Sequence, residues 1–459
     1  MMTRNDSALQ GGRPQGERMA RWMHAWHRLS GLLLLTLATV AGLPAAQDPP
    51  QLRGHPLPPT HVPDPAASWH AWFDVLVLVL ALSLASWLVL KRRSRRGVWV
   101  LMVACLLYFG FYRAGCICPV GSVQNVAQGL FATGGYAVPL TVLLFFLLPL
   151  IAALLWGRVF CAAVCPLGAV QDVVHVRTTR LPTWFEHALG LVPYLFLGVA
   201  LVLAVAGAGY VICRFDPFIP IFRLGGPAPM VILAVLFVGL SLFIGRPYCR
   251  FLCPYGVLLR WASLVARRHL EIYPEKCINC RLCEDSCPYE AIVPSIKDDT
   301  SADLPTSRRW LVAAVLAVPL LMVASGYGLS RLSGPLAAAH HEVQLAGLVF
   351  DEDLMAAAEA DPELLDDDTR HRIDAWHERG IEPLALRQQA LAISDLMRRG
   401  LWLVGLVFGL AVGVKLVQLC LRWRPDAYHP DRGRCLSCAR CFDYCPGSHP
   451  APEADEEGM

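Results

Sequence analysis

Two stretches of this sequence repeat one arrangement of thiols. Cys277, Cys280, Cys283 and Cys287 are spaced C-x2-C-x2-C-x3-C ahead of Pro288, and Cys435, Cys438, Cys441 and Cys445 repeat the spacing ahead of Pro446. Such short spacings wrap a loop around a small inorganic core so that three thiolates meet one centre, and the proline ends the loop. This is the bacterial run that binds a 4Fe-4S cluster. A zinc site is the competing reading, but zinc usually pairs two C-x-x-C knuckles. Where two such runs act together, the fourth Cys of each ligates the other cluster. On that hypothesis Cys445 completes the set of Cys277, Cys280 and Cys283, while Cys287 completes that of Cys435, Cys438 and Cys441.

A second motif, C-x3-C-P, occurs as Cys161, Cys165, Pro166 and as Cys249, Cys253, Pro254. A spacing of four puts both sulfurs on one face of a helix. Two such pairs at equal depth supply the four thiolates of a third cluster; two metal-free redox dithiols are the alternative. A third group, Cys116 and Cys118 in GCICPVGSVQ with Cys213 in CRFDPF, supplies three thiols, one fewer than a cubane takes. Metal binding with a fourth ligand unidentified and a disulfide both stay open for it. The phrases CPVGSVQ and CPLGAVQ are nearly the same text, which points to an internal repeat. Of 17 cysteines only Cys105 and Cys420 lie inside apolar runs, where packing explains them.

The elements that must hold these thiols are membrane spans. Only 17% of the 459 residues are charged and 55% are hydrophobic, where a soluble protein carries about one quarter charged. Apolar segments recur at 29–43, 72–90, 98–113, 137–156, 186–211, 228–245, 309–329 and 400–420, each to be compared with the roughly 20 residues that cross a bilayer. The expected fold is therefore an all-α integral membrane bundle of about eight spans carrying a two-cluster module. Lys91, Arg92, Arg93, Arg95, Arg96, Arg177, Arg180, Arg260, Arg267 and Arg268 occupy alternate loops, which the positive-inside rule assigns to the cytoplasm. Both thiol-rich runs fall on that same side.

Along the chain this reading gives an N-terminal anchor or signal at 1–43, with five arginines ahead of its apolar stretch at 29–43 and a retained anchor favoured. A proline-rich external connector at 44–71 follows, expected to be extended, then a membrane bundle with the Cys-Pro motifs at 72–270 and a first cluster segment at 271–298. A span at 309–329 leads to an external acidic helical segment at 331–399, a last span at 400–420, and a second cluster segment with its tail at 430–459. The net charge of +3 gives no indication of nucleic acid. No nucleophile or acid–base constellation is visible; Asp172 and His175 read as solvated loop residues in preference to proton carriers for a quinol. The spans carry few central ionisable residues, against a transporter.

At these motifs the chain resembles the membrane polyferredoxins, the group containing NosR, NirI and NapH, with CcoG more distant. The resemblance covers residues 98–290 and 430–446 and rests on Cys161, Cys165, Cys249, Cys253 and the eight cysteines of the two runs. It implies two ferredoxin-type clusters on the cytoplasmic side of a bacterial inner membrane, a bound quinone, and electron transfer between the quinone pool and a periplasmic reductase or carrier in nitrogen-oxide respiration. A quinol dehydrogenase component fits this implication; an assembly or regulatory factor for a metalloenzyme is the alternative. The short connector leaves no room for the external flavin domain of NosR, and NapH has a shorter bundle with adjacent runs.

Overall fold

The computed structural model describes residues 68–115, 118–131, 136–272, 277–293, 308–351, 367–420 and 428–445. The expected N-terminal anchor, nearly all of the proline connector, Cys116 and the C-terminal tail lie outside these residues. The chain divides into two units, Met1–Pro65 and Ala66–Met459, and all described residues belong to the second.

Helix α1 (Ser68–Leu90) begins inside the segment expected to be connector, because Ser68 to His70 continue the helix rather than the extended chain. Helix α2 (Arg95–Cys105) starts on a Ser94 side-chain cap and continues as a π-helix to Tyr112. Helices α3 (Pro119–Phe131), α4 (Leu140–Trp156), α5 (Val159–Ala163), α6 (Pro166–Val173), α7 (Thr183–Leu189) and α8 (Val192–Val205) follow. Then come α9 (Val211–Arg214), α10 (Ile219–Arg223), α11 (Ala228–Ser241), α12 (Pro247–Phe251), α13 (Pro254–Leu264) and α14 (Leu282–Asp285). Strand β1 (Ile292–Val293) precedes α15 (Arg308–Ser330), α16 (Ser333–Ala338), α17 (His341–Val349), α18 (Asp367–Arg379) and α19 (Pro383–Cys420). Strand β2 (His429–Pro430) and α20 (Arg440–Tyr444) close the described chain.

Among the described residues, five helical stretches are long and apolar enough to cross a bilayer: Trp69–Leu90, Arg95–Tyr112, Thr183–Val205, Arg309–Ala338 and Pro383–Cys420. Leu140–Trp156 and Ala228–Ser241 are apolar but shorter, about 25 and 21 Å at 1.5 Å per residue. Outward side chains such as Leu80, Leu316, Leu320 and Leu403 stay exposed, as a lipid-facing surface allows. The span expected at 400–420 is the second half of a 38-residue helix. Nothing between Pro383 and Arg399 stops that helix, so the final stretch of the segment expected outside runs straight into the span. Its first turns close a small separate core with α17 and α18, formed by Leu345, Ala346, Trp376, Leu386 and Ala390.

Helices α15 and α19 lie in unusually close contact. A Cβ placed on Gly405 would lie 2.4 Å from the Ser325 carbonyl oxygen, and one on Gly409 would lie 2.5 Å from that of Leu321. Gly405, Gly409 and Gly413 recur every four residues along one buried face of α19, the small-residue stripe that lets membrane helices approach.

Candidate metal centres

The two C-x2-C-x2-C-x3-C runs fold alike, residue for residue. Asn279 and Arg281 take left-handed backbone angles (φ 53° and 61°), and so do the matching Ser437 and Ala439 (55° and 60°). None of the four is glycine, so each carries strain that the surrounding loop must hold. A short helix then carries the third Cys of each run, α14 for Cys283 and α20 for Cys441. The Ser437 N–H donates to the Cys435 sulfur at 3.4 Å.

Far apart in sequence, the runs meet through an antiparallel pair in which Ile292 faces Pro430 and Val293 faces His429. This brings Cys445 within electrostatic reach of Cys283, alongside Cys277 and Cys280. It also brings Cys287 into reach of Cys435, Cys438 and Cys441. Cys287, Cys435, Cys438 and Cys441 together line a cavity of about 20 Å³, walled by Leu270, Tyr289, Ile292 and Leu436. The arrangement is the one exchanged ligation would need, with the fourth Cys of each run near cysteines of the other.

Burial pushes the thiols of Cys283 and Cys435 up to about 12, so holding these sulfurs as thiolates calls for a compensating cation. Among the described residues no three His, Cys, Asp or Glu close tightly enough for a single metal ion, whose thiolates would stand about 3.8 Å apart at 2.3 Å bonds. A cubane is broader. Four sulfurs around an apolar void, with backbone N–H groups aimed at them, fit a 4Fe-4S cluster.

Beneath this module lie Cys161, Cys165, Cys249 and Cys253, each within electrostatic reach of the others. Pro166 and Pro254 open α6 and α13, which sets Cys165 and Cys253 at the caps of those helices. A proline in the first turn loses no intrahelical bond, and the free N–H groups there favour an anionic sulfur. The backbone N–H groups of Gly168 and Gly256 point at these two sulfurs. Gln171 Nε2 donates to the Cys249 sulfur at 3.3 Å, and Arg158 Nη2 reaches the Cys161 sulfur at 3.8 Å.

The two halves of this centre embrace reciprocally. Arg158 packs on Gly256 of the opposite motif, 3.6 Å from where a Cβ would be, and Arg246 packs on Gly168 at 2.9 Å. Arg246 is fully buried and donates to the Cys161 carbonyl and to both oxygens of Asp172 at 2.9 and 2.7 Å. Tyr289, next to the first cluster run, donates to the same carboxylate at 2.8 Å. Burial alone would raise the Asp172 carboxyl; Arg246, Arg95 and Tyr289 together hold it below its ordinary range.

Asp172 is thus no solvated loop residue but the tie between the bundle and the cluster module. His175 is engaged too, at 3.0 Å from the Ser241 carbonyl and from the Thr178 hydroxyl. The module is further fastened by Arg158 to the Gly433 carbonyl (3.2 Å), Ser263 to that of Arg432 (2.7 Å) and Arg95 to that of Cys438 (3.4 Å). Arg158, Gln171, Arg246 and Tyr289 escaped the sequence reading. The longer repeat GRVFCAAVCPLG and GRPYCRFLCPYG, with its arginine and glycine at fixed offsets from the thiols, was the signal for two of them.

Cys118, just ahead of α3, and Cys213 lie together, the Cys213 sulfur 2.9 Å from where a Cβ on Gly121 would sit. Cys116 lies outside the described residues. Cys105 is buried among bundle side chains.

A family model described as a 4Fe-4S binding domain matches residues 138–191 and 227–273, the two stretches holding the C-x3-C-P pairs. A second, also described as a 4Fe-4S binding domain, matches 270–293. Curated relatives include an uncharacterized protein of Methanocaldococcus jannaschii, 28% identical over 40% of this chain and 78% of its own length. Protein NirI of Paracoccus denitrificans is 33% identical over 31% of this chain and 23% of its own. Regulatory protein NosR of Pseudomonas aeruginosa is 31% identical over 45% and 30%. The chain therefore spans less than a third of NirI and NosR. No solved structure matches it.

Proposed function

We propose that this chain, a relative of the NosR and NirI iron–sulfur proteins, is a membrane-bound electron-transfer protein linking the quinone pool or a cytoplasmic donor to a respiratory reductase of nitrogen oxides. The observation that supports the proposal is that Cys161, Cys165, Cys249 and Cys253 lie next to the two-run module, joined to it through Arg158 and Gly433 and through Asp172 and Tyr289, an arrangement in which three sets of cluster ligands would stand in series. When bound, 4Fe-4S clusters supply one-electron centres; the protein sets their order, burial and hydrogen bonds.

A cavity of about 360 Å³ supports quinone as the diffusible partner. It is bounded by Tyr194, Trp261, Leu410 and Lys415 and reaches Cys249 and Cys253, a volume within the range of small-molecule sites. His187 lines it too, and its buried Nδ1 has no hydrogen-bond partner among the described residues. In this reading the bundle has eight spans in a bacterial inner membrane, the basic loops and both runs face the cytoplasm, and a periplasmic reductase or carrier completes the circuit.

The test is anaerobic EPR on purified protein mixed with a short-chain quinol and, separately, reduced protein mixed with the quinone. Electron exchange in either direction, weakened several-fold by Leu410→Trp, is expected. Clusters that respond to dithionite but to neither quinone form would overturn the quinone link. A role in assembly or regulation is the second reading, favoured by the regulatory designation of NosR. It predicts that a deletion strain makes reductase protein lacking its metal.

A further inference from the structure

We propose that Cys118, Cys213 and Asp216 ligate one more iron–sulfur centre, in which a carboxylate takes the place of a thiolate. The argument starts from a duplicated hydrogen bond. Gln171 lies six residues after Cys165, and its Oε1 accepts from the N–H of Tyr248, the residue before Cys249, at 3.0 Å. Gln124 lies six residues after Cys118, and its Oε1 accepts from the N–H of Ile212, the residue before Cys213, also at 3.0 Å. Both glutamines are fully buried. The bond that fixes Cys249 against the Cys165 motif is therefore repeated between Cys213 and the Cys118 motif.

The surrounding residues keep the same register. Pro119 opens α3 directly after Cys118, as Pro166 opens α6 directly after Cys165. Gly121 and Gly168 occupy the same offset, and the N–H of each points at its motif's sulfur. Cys213-Arg-Phe repeats Cys249-Arg-Phe, after which Asp216-Pro217 falls where Cys253-Pro254 falls, one residue sooner.

Asp216 is 6% exposed. One of its oxygens accepts from the Phe218 N–H at 2.8 Å, and no ion pair of Asp216 occurs among the described residues. Its charge and that of Cys213 both act on Cys118. A carboxylate buried beside thiols with no cation is costly, and iron supplies the missing charge. Cys116 lies outside the described residues and is not used in this argument.

The proposed centre adjoins the one already described. Cys118 is within electrostatic reach of Cys165, and the fully buried Tyr248 is in reach of Asp216 and Cys118 as well as Cys249 and Cys253. Four centres then stand in series. The inference concerns ligands only and holds whether or not quinone is the partner.

The experiment compares the full chain with Asp216→Asn and Asp216→Cys, purified anaerobically in detergent, by iron and acid-labile sulfide content and by EPR. Asn keeps the acceptor for Phe218 and so preserves the loop. It is expected to bind less iron and sulfide per chain than the wild type, by the content of this one centre, with the remaining EPR signals unchanged. Asp216→Cys is expected to restore that iron with altered g values. Full iron in Asp216→Asn, no restoration by Cys, or a Cys118–Cys213 disulfide found by anaerobic alkylation and mass spectrometry of the wild type would overturn the proposal.

Discussion

Cys445 discriminates between two ways of wiring the paired runs. With the exchanged grouping around Cys283, Cys445→Ala should remove the cluster of Cys277, Cys280 and Cys283 and leave that of Cys435, Cys438 and Cys441 intact in a quantitative EPR count. Loss of only the C-terminal cluster would contradict the grouping. Arg246 makes a second claim at this scale. Arg246→Met leaves Asp172 buried with only the more distant Arg95 as its cation, at 3.9 Å, and should cost about 3 kcal/mol in a denaturant titration of detergent-solubilised protein. Arg399→Met, at a largely exposed pair with Asp395, should change stability by no more than about 0.5 kcal/mol. The sulfurs were legible in the sequence because their spacing is set by the cluster itself. Asp172 was not, because its partners Arg246 and Tyr289 lie 74 and 117 residues away and no local pattern records that meeting.

Helix α19 joins two segments the sequence reading kept apart, the helical stretch expected to end at 399 and the span expected to begin at 400. Its apolar half was plain, but the polar turns from Pro383 onward are helical for a different reason, the core they share with α17 and α18. The glycine stripe is equally silent in a hydropathy profile, since glycine is neither strongly apolar nor polar, yet it fixes how near α15 can come. Gly409→Leu would drive its side chain into the backbone of α15 near Leu321 and Met322. The expected cost is about 1–3 kcal/mol, as for other overpacked sites, seen as a lower melting temperature with EPR signals intact in the surviving folded protein. An unchanged melting temperature would refute the close packing.

For the whole molecule, topology decides which compartments the centres connect. The basic loop residues bear on this twice. Arg95 belongs to the loop that the positive-inside rule would assign to the cytoplasm and donates to the Cys438 carbonyl, so the proposed topology puts the cluster runs on that loop's side. A green fluorescent protein fused after the last residue should fluoresce, whereas alkaline phosphatase fused there should stay inactive; the reverse result would place the cluster runs outside the cytoplasm. The account as a whole depends on these thiols holding iron and sulfide. The most direct measurement is metal and acid-labile sulfide analysis of the full chain prepared anaerobically in detergent. Equal amounts of iron and sulfide, at least about 12 of each per chain for three cubanes, are predicted; zinc without acid-labile sulfide would contradict it.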